Sequence, residues 1–275
     1  MPEPAPRPAP TATPRPAPTG APGAASGAGP GAAHEPQGPP DPGPGAVPDR
    51  IALVTGANRG TGRAIRERLG KDGYTVRCLN RRSCDDHTDP VTADLGDGQA
   101  AFDGARAVLD GAPGLDLLVL NAVTRSLGTV GELSPRDWDT AVAVNLTANV
   151  RIIQAALPLL RAAGGHIVLM GSHAGERAFE GGLAYCATKA ALRSVAEVLL
   201  MEERPHGVRT TLLNPGAISN LDDDFSDQKM SVESVAAVVS WVASAPADTV
   251  LGEVELRPAR LGTPPAIGID RLQHV

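Results

Sequence analysis

No run of apolar residues in this chain is long enough to cross a bilayer, so none of it reads as a transmembrane span. A long block of lysine and arginine is also missing. With 25 basic and 31 acidic residues the net charge is −6, which argues against nucleic acid as the main partner. Cysteine is scarce: Cys78, Cys84 and Cys186 are odd in number and lack metal-ligand spacing. They give no basis for a metal site, and without an export signal they read as reduced thiols of a cytoplasmic protein.

The first 48 residues lack aromatic side chains altogether and contain almost nothing large and apolar. They hold 16 of the 26 prolines and 8 of the 31 glycines, half of the segment. Such a stretch cannot bury enough surface to offset its conformational entropy and is expected to be a disordered Pro/Gly/Ala-rich extension. It has no apolar core of a signal peptide. A solubilising extension is the plain reading, and polyproline II recognition is the alternative. Residues 49–275 are enough for one α/β domain with a sizeable core.

Within that domain short apolar runs alternate with longer helical patterns. Ile51–Thr55, Thr75–Leu79, Leu115–Asn121, His166–Met170 and Val208–Leu213 read as strands, and Gly252–Leu256 adds an edge strand. They are continuously apolar, as parallel strands covered on both faces are. Helices are expected near 62–72, 98–110, 135–162, 184–204 and 231–244. Ser134-Pro135-Arg136-Asp137 opens the long central one with a serine N-cap, proline at N1 and an acid at N3. This alternation predicts a single Rossmann-type domain, a doubly wound parallel sheet with helices on both faces.

Two constellations carry chemistry. Thr55-Gly56-Ala57-Asn58-Arg59-Gly60-Thr61-Gly62 follows the first strand and opens the first helix. Glycines there let the backbone approach a pyrophosphate, whose charge is favoured at a helix N-terminus. No Gly-Lys-Ser/Thr follows, so it is not a P-loop. Far along the chain, Tyr185 and Lys189 stand one helical turn apart, with Ser172 thirteen positions upstream. A phenol titrates near pH ~10, and a neighbouring ammonium favours its ionised form. Ser172 would hold a carbonyl or alcohol oxygen.

Thr55–Gly62, Asn145, Ser172 and Tyr185-x-x-x-Lys189, in that order, resemble the short-chain dehydrogenase/reductase family over roughly residues 50–257. Pro215-Gly216, after the sixth strand, is similar to that family's turn beside the nicotinamide, which brings Ile218 into the expected site. Asp94-Leu95, after a short third strand, is similar to its adenine-contacting pair. The resemblance implies that Tyr185 is the general acid in carbonyl reduction, Ser172 orients the carbonyl, Lys189 binds the nicotinamide ribose, and Asn145 holds a water leading to the lysine. It also implies dimers or tetramers assembled through the helices near 135–162 and 184–204.

An NAD enzyme usually has an acid at the end of the second strand to bind the ribose 2′-hydroxyl. Here that strand ends Leu79-Asn80-Arg81-Arg82, and Arg59 adds a cation from the glycine turn. Guanidinium groups suit a 2′-phosphate, so NADP(H) is expected over NAD(H). The alternative is that Arg81 or Arg82 is a solvated loop charge and Asp85 or Asp86 folds back to the ribose.

The chain also departs from the family pattern. Leu120-Asn121-Ala122-Val123 stands where Asn-Asn-Ala-Gly is usual, and valine is poor at positive φ, so an altered backbone is expected there. Asn220 replaces a threonine four residues after Pro-Gly and could bond a carboxamide. Gly171 replaces a serine, a change read as minor. Ala217–Met230, with Asp222, Asp223, Asp224 and Asp227, is expected to cover the substrate. His173 and Cys186 are expected to line the pocket or to point away from it. The leading expectation is an NADPH-dependent ketoreductase for a small or medium carbonyl compound. Imine reduction, epimerisation or dehydration on the same residues is a second reading, and a non-catalytic dinucleotide sensor or scaffold is a third.

Overall fold

The computed structural model describes residues 50–83, 91–220 and 228–260. The N-terminal extension, Cys84, Asp85, Asp86 and the four aspartates of the 217–230 segment lie outside those residues.

The described chain runs β1 (Arg50–Thr55), α1 (Gly60–Lys71), β2 (Tyr74–Leu79), α2 (Gly98–Val108), β3 (Leu117–Leu120), α3 (Pro135–Val142), α4 (Ala148–Ala163) and β4 (His166–Met170). It continues with α5 (Leu183–Glu203), β5 (Arg209–Pro215), β6 (Ile218–Ser219), β7 (Met230–Ser231), α6 (Val232–Ala243) and β8 (Glu253–Leu256). Six strands form one parallel sheet in the order β2-β1-β3-β4-β5-β8. Val54 pairs with Cys78 on one side and Val119 on the other. The order reverses between β1 and β3, and the crevice at the carboxyl ends of those two strands is where such sheets bind ligands.

The continuously apolar strands are explained by two cores. Leu53, Leu118, Ile167 and Leu169 pack on one face against Ala101 of α2, Ile152 and Leu160 of α4 and Leu192 of α5. Val54, Leu117, Val119 and Val168 pack on the other face against Ile65 and Leu69 of α1 and Val235 and Val239 of α6. Alternate side chains of β1 and β3 therefore enter opposite cores, and both faces of the sheet are covered.

Several local features differ from the expectation. The helix expected over 135–162 is interrupted by a π-helical turn at Ala143–Thr147, which separates α3 from α4. The short third strand reduces to a single bridge between Asn80 and Thr92. β5 extends through Pro215, so the Pro-Gly turn begins within the strand, not after it. An unforeseen ribbon pairs Ile218 with Met230 and Ser219 with Ser231, bringing the two ends of the intervening segment together. The N-cap of α3 forms as read: Ser134 accepts from the Asp137 N–H at 3.1 Å. By length and composition alone Pro135–Ala163 qualifies as a membrane span, contrary to the sequence reading. In the fold Ala148, Ile152, Ala156 and Leu160 of that stretch are fully buried in the core.

His166, at the start of β4, is buried and bonded through Nε2 to Thr211 Oγ1 at 2.8 Å. Burial, with help from Arg209, pushes its pKa down to about 3 and keeps it neutral. The ends of α4 and α5 are joined by a two-bonded pair, Arg161 Nε and Nη2 donating to Glu203 at 2.8 and 2.7 Å. Glu203 is buried, and the arginine's hydrogen bond holds its carboxyl below the usual carboxylate range. A depressed pKa adds stability above the unfolded value of about 4.3 and loses it as pH falls through the folded value. Arg161→Leu should therefore lower the melting temperature by a few degrees at pH 7. The difference from wild type should close below about pH 4, which calorimetry across pH will check.

Candidate active site

One cleft of about 1070 Å³ opens at the strand-order reversal, and eighteen of the residues expected in the site line it. At one end are Gly56, Asn58, Arg59, Thr61 and Gly62 of the β1–α1 turn, with Asn80, Arg81 and Arg82 after β2, and Asp94 and Leu95. Asn121 and Ala122 form the floor after β3. Ser172, Tyr185 and Lys189 stand at the other end with Pro215, Gly216 and Ile218. Thr55, Gly60 and Asn145 do not line the cleft. Thr55 and Asn145 hold its walls from behind.

The glycine turn is shaped by close approach. Gly56 and Gly60 have φ of 66° and 52°, a region costly for other residues. A Cβ on Gly62 would overlap the Gly56 carbonyl, so α1 starts hard against the turn. No side chain caps α1 at Arg59, which leaves first-turn N–H groups facing the cleft. One is occupied from an unexpected direction: the Thr61 N–H donates to Asn220 Oδ1 at 2.8 Å. Asn220 thus reaches the glycine turn, and its side-chain carbonyl stands as an acceptor at the helix N-terminus, where a phosphate oxygen is the natural occupant. Asn80 Oδ1 accepts from the Ala57 N–H at 2.7 Å and ties the turn to the end of β2.

The Thr55 hydroxyl accepts from the Asn121 and Ala122 N–H groups, each at 3.0 Å. Asn121 Nδ2 donates back to the Thr55 carbonyl at 3.1 Å. These bonds weld the β1 and β3 loops. Leu120 is buried in the core, so the asparagine it replaces has no counterpart in the cleft. Among the described residues no non-glycine has positive φ, so Val123 keeps ordinary backbone and presents an exposed side chain to the cleft.

At the chemical end, Lys189 Nζ donates to the Met170 carbonyl at 2.6 Å and lies 5.9 Å from the Tyr185 ring centroid. Burial, and secondarily the positive charge of Arg125, bring the lysine's pKa down to about 8. Ser172 is extended, and its Oγ accepts from the Ala174 N–H at 3.1 Å, capping the short turn at His173–Gly175. The hydroxyl hydrogen remains for donation. Asn145 sits in the π turn with both ends of its amide in use. Oδ1 accepts from the Thr124 N–H at 2.8 Å, and Nδ2 donates to the Thr124 carbonyl at 3.0 Å and to Thr188 Oγ1 at 3.1 Å. Its backbone carbonyl accepts from Asn149 Nδ2 at 2.8 Å.

His173 and Cys186 do not line this cleft. His173 is buried beside Glu255, with Nε2 and a carboxylate oxygen 2.7 Å apart, and Cys186 faces a separate apolar hollow. Glu176 and Glu255 approach His173 closely enough to share a cation, but each is already paired with an arginine, Arg193 and Arg257.

Thr124 and Arg125, from the stretch 123–133 expected to form the pocket, join the lining, as do Arg136, Thr140 and Val144, which were not foreseen. The last three were detectable, because spacing of i, i+4 and i+8 puts them on one helical face. Arg125 had no signal of its own, since its place depends on how the β3 loop turns.

A cleft with a glycine turn and a helix start at one end and a hydroxyl, a phenol and an ammonium at the other is the arrangement of a dinucleotide-dependent oxidoreductase fold. The model of the short chain dehydrogenase family matches residues 50–228, and the chain belongs to that family. It is 30% identical over 233 residues to the sepiapterin reductase of Chlorobaculum tepidum, covering 76% of this chain and 96% of that protein. An uncharacterized oxidoreductase of Staphylococcus epidermidis is 27% identical over 226 residues, covering 77% and 98%. A short chain dehydrogenase from Burkholderia cenocepacia, solved in complex with NADP, superposes with a TM-score of 0.68 at 28% identity, covering 75% of this chain and 96% of that one.

The free-enzyme ionisation of Lys189 should appear in kcat/KM for the nucleotide as a limb that falls near pH 8, because the ammonium is lost above its lowered pKa. Arg125→Met removes a repelling charge and should move that limb to higher pH in steady-state assays.

Proposed function

We propose that this protein is an NADPH-dependent carbonyl reductase for a small or medium organic substrate, with Tyr185 as the general acid. The observation that carries the reading is the convergence of Ser172, Tyr185 and Lys189 on one end of a cleft whose other end is built for phosphate.

The residues present fit the dinucleotide. The α1 N-terminus already holds an acceptor oxygen from Asn220 on the Thr61 N–H, and the glycines allow no Cβ to fill the cradle. Arg59, Arg81 and Arg82 line the adenosine end, and none is ion-paired with a described carboxylate. Planar guanidinium groups bind a phosphate bidentately, which favours NADP(H) over NAD(H). The Burkholderia relative solved with NADP supports the same choice. Asp94, Leu95, Asn121 and Ala122 would flank the adenosine half, and Lys189, Pro215, Gly216 and Ile218 the nicotinamide half.

The bound dinucleotide supplies a hydride to the carbonyl carbon. Everything else falls to the chain. Ser172, with its lone pair turned to the Ala174 N–H, donates its hydroxyl hydrogen to the substrate oxygen. Tyr185 gives the phenolic proton to that oxygen as negative charge builds on it. Lys189, as the ammonium, stabilises the phenolate left behind. The Asn145 backbone carbonyl is the proposed anchor of a water through which the proton is replaced. Imine reduction, epimerisation and dehydration remain the second reading of the same residues, and stoichiometric NADPH consumption with a ketone separates them. A sensor without catalysis has no need of the proton-handling set. Exposed Val198 and Met201 on α5 and Trp138 on α3 suit burial in a homodimer or homotetramer through those helices.

Tyr185→Phe should lower kcat by about 10³-fold or more while NADPH binding, followed by fluorescence titration, is retained. Turnover close to wild type would overturn the role. Arg81→Ala and Arg82→Ala together should weaken NADPH binding about 10–100-fold and leave NADH binding unchanged, measured by the same titration. Equal losses for both nucleotides would refute the 2′-phosphate assignment.

A further inference from the structure

Ser172 lies at the end of β4, and its orientation is not set by its own hydrogen bond alone. The Ser172 N–H donates to Asn214 Oδ1 at 3.2 Å across the β4–β5 pair. Asn214 is buried, 3% exposed, and is itself held: its Nδ2 donates to Glu253 Oε1 at 2.5 Å on the edge strand β8. Arg193 on α5 binds the same Glu253 oxygen at 2.6 Å and also pairs with Glu176. A line of bonds therefore runs from the backbone of Ser172 through one amide to an ion cluster bridging α5 and β8.

The amide gains access through an absence. A Cβ built on Gly171 would fall on Asn214 Oδ1. Any other residue at 171 would push the amide off the Ser172 N–H or bend the strand end. The glycine and the asparagine are thus one device, and the serine usual at 171 in this family is incompatible with it.

We propose that Asn214 is a positioning residue that acts through Ser172, and that position 171 is glycine to admit its amide. Asn214 does not touch the substrate. It fixes the peptide from which the Ser172 hydroxyl projects, so its loss lets that hydroxyl drift from the carbonyl it holds. A misplacement of this kind lowers turnover without removing any reacting group. The inference rests on the reductase reading for its kinetic part only.

The test is a pair of double-mutant cycles. Asn214→Ala should lower kcat/KM for a ketone about tenfold or more in the wild-type background, and by less than about twofold once Ser172→Ala has removed the hydroxyl. A structural role would cost the same in both backgrounds, and that result overturns the proposal. In the second cycle Gly171→Ala should lower the melting temperature markedly in the wild type and much less in Asn214→Ala. Equal losses in both overturn the claimed coupling of 171 with 214. A wild type that reduces no carbonyl with NADPH would sink the reductase reading, and the melting cycle, which needs no turnover, still decides the coupling.

Discussion

One side-chain amide holds the proposed catalytic end of the cleft together. Asn145 clasps both backbone groups of Thr124 and reaches across to Thr188, so the loop after β3, the central helix and α5 meet at a single buried residue. Thr124 adjoins the floor of the cleft, and Thr188 adjoins Lys189. Each amide hydrogen bond in a buried site matters mainly by its loss, because unpaired groups left behind keep their full desolvation cost. Through Thr188 the clasp ties α5, which carries Tyr185 and Lys189, to the loop after β3.

The same end is under electrostatic tension. Lys189 is buried, donates to the Met170 carbonyl and feels the positive charge of Arg125. A cation kept there without a carboxylate partner is held less firmly than an exposed lysine.

The fold was legible because its signals are local and repeated. Continuous apolar strands, the Ser134-Pro135 cap and the glycine turn are each determined by residues next to one another. The site was legible by order and type, since Ser172, Tyr185 and Lys189 fall together as their spacing implied. What stayed hidden depends on three-dimensional neighbours. Asn220 was read as able to bond a carboxamide, and its contact with Thr61, 159 positions away, left no sequence signal. Gly171 looked like a trivial replacement of serine until Asn214 occupied the space beside it. Arg125 and the π turn left no mark in composition or periodicity.

The π turn at Ala143–Thr147 has a consequence for how the chain tolerates changes of length. A π turn holds about one residue more than an α turn. That surplus lets Arg136, Thr140 and Val144 face the cleft while Ala148, Ile152 and Ala156 face the core. Removing one residue from the turn would restore a regular helix and rotate one face by about 100° against the other. The central helix could then serve the core or the cleft, but not both, so single-residue deletions here are far more damaging than the exposed loops nearby would suggest.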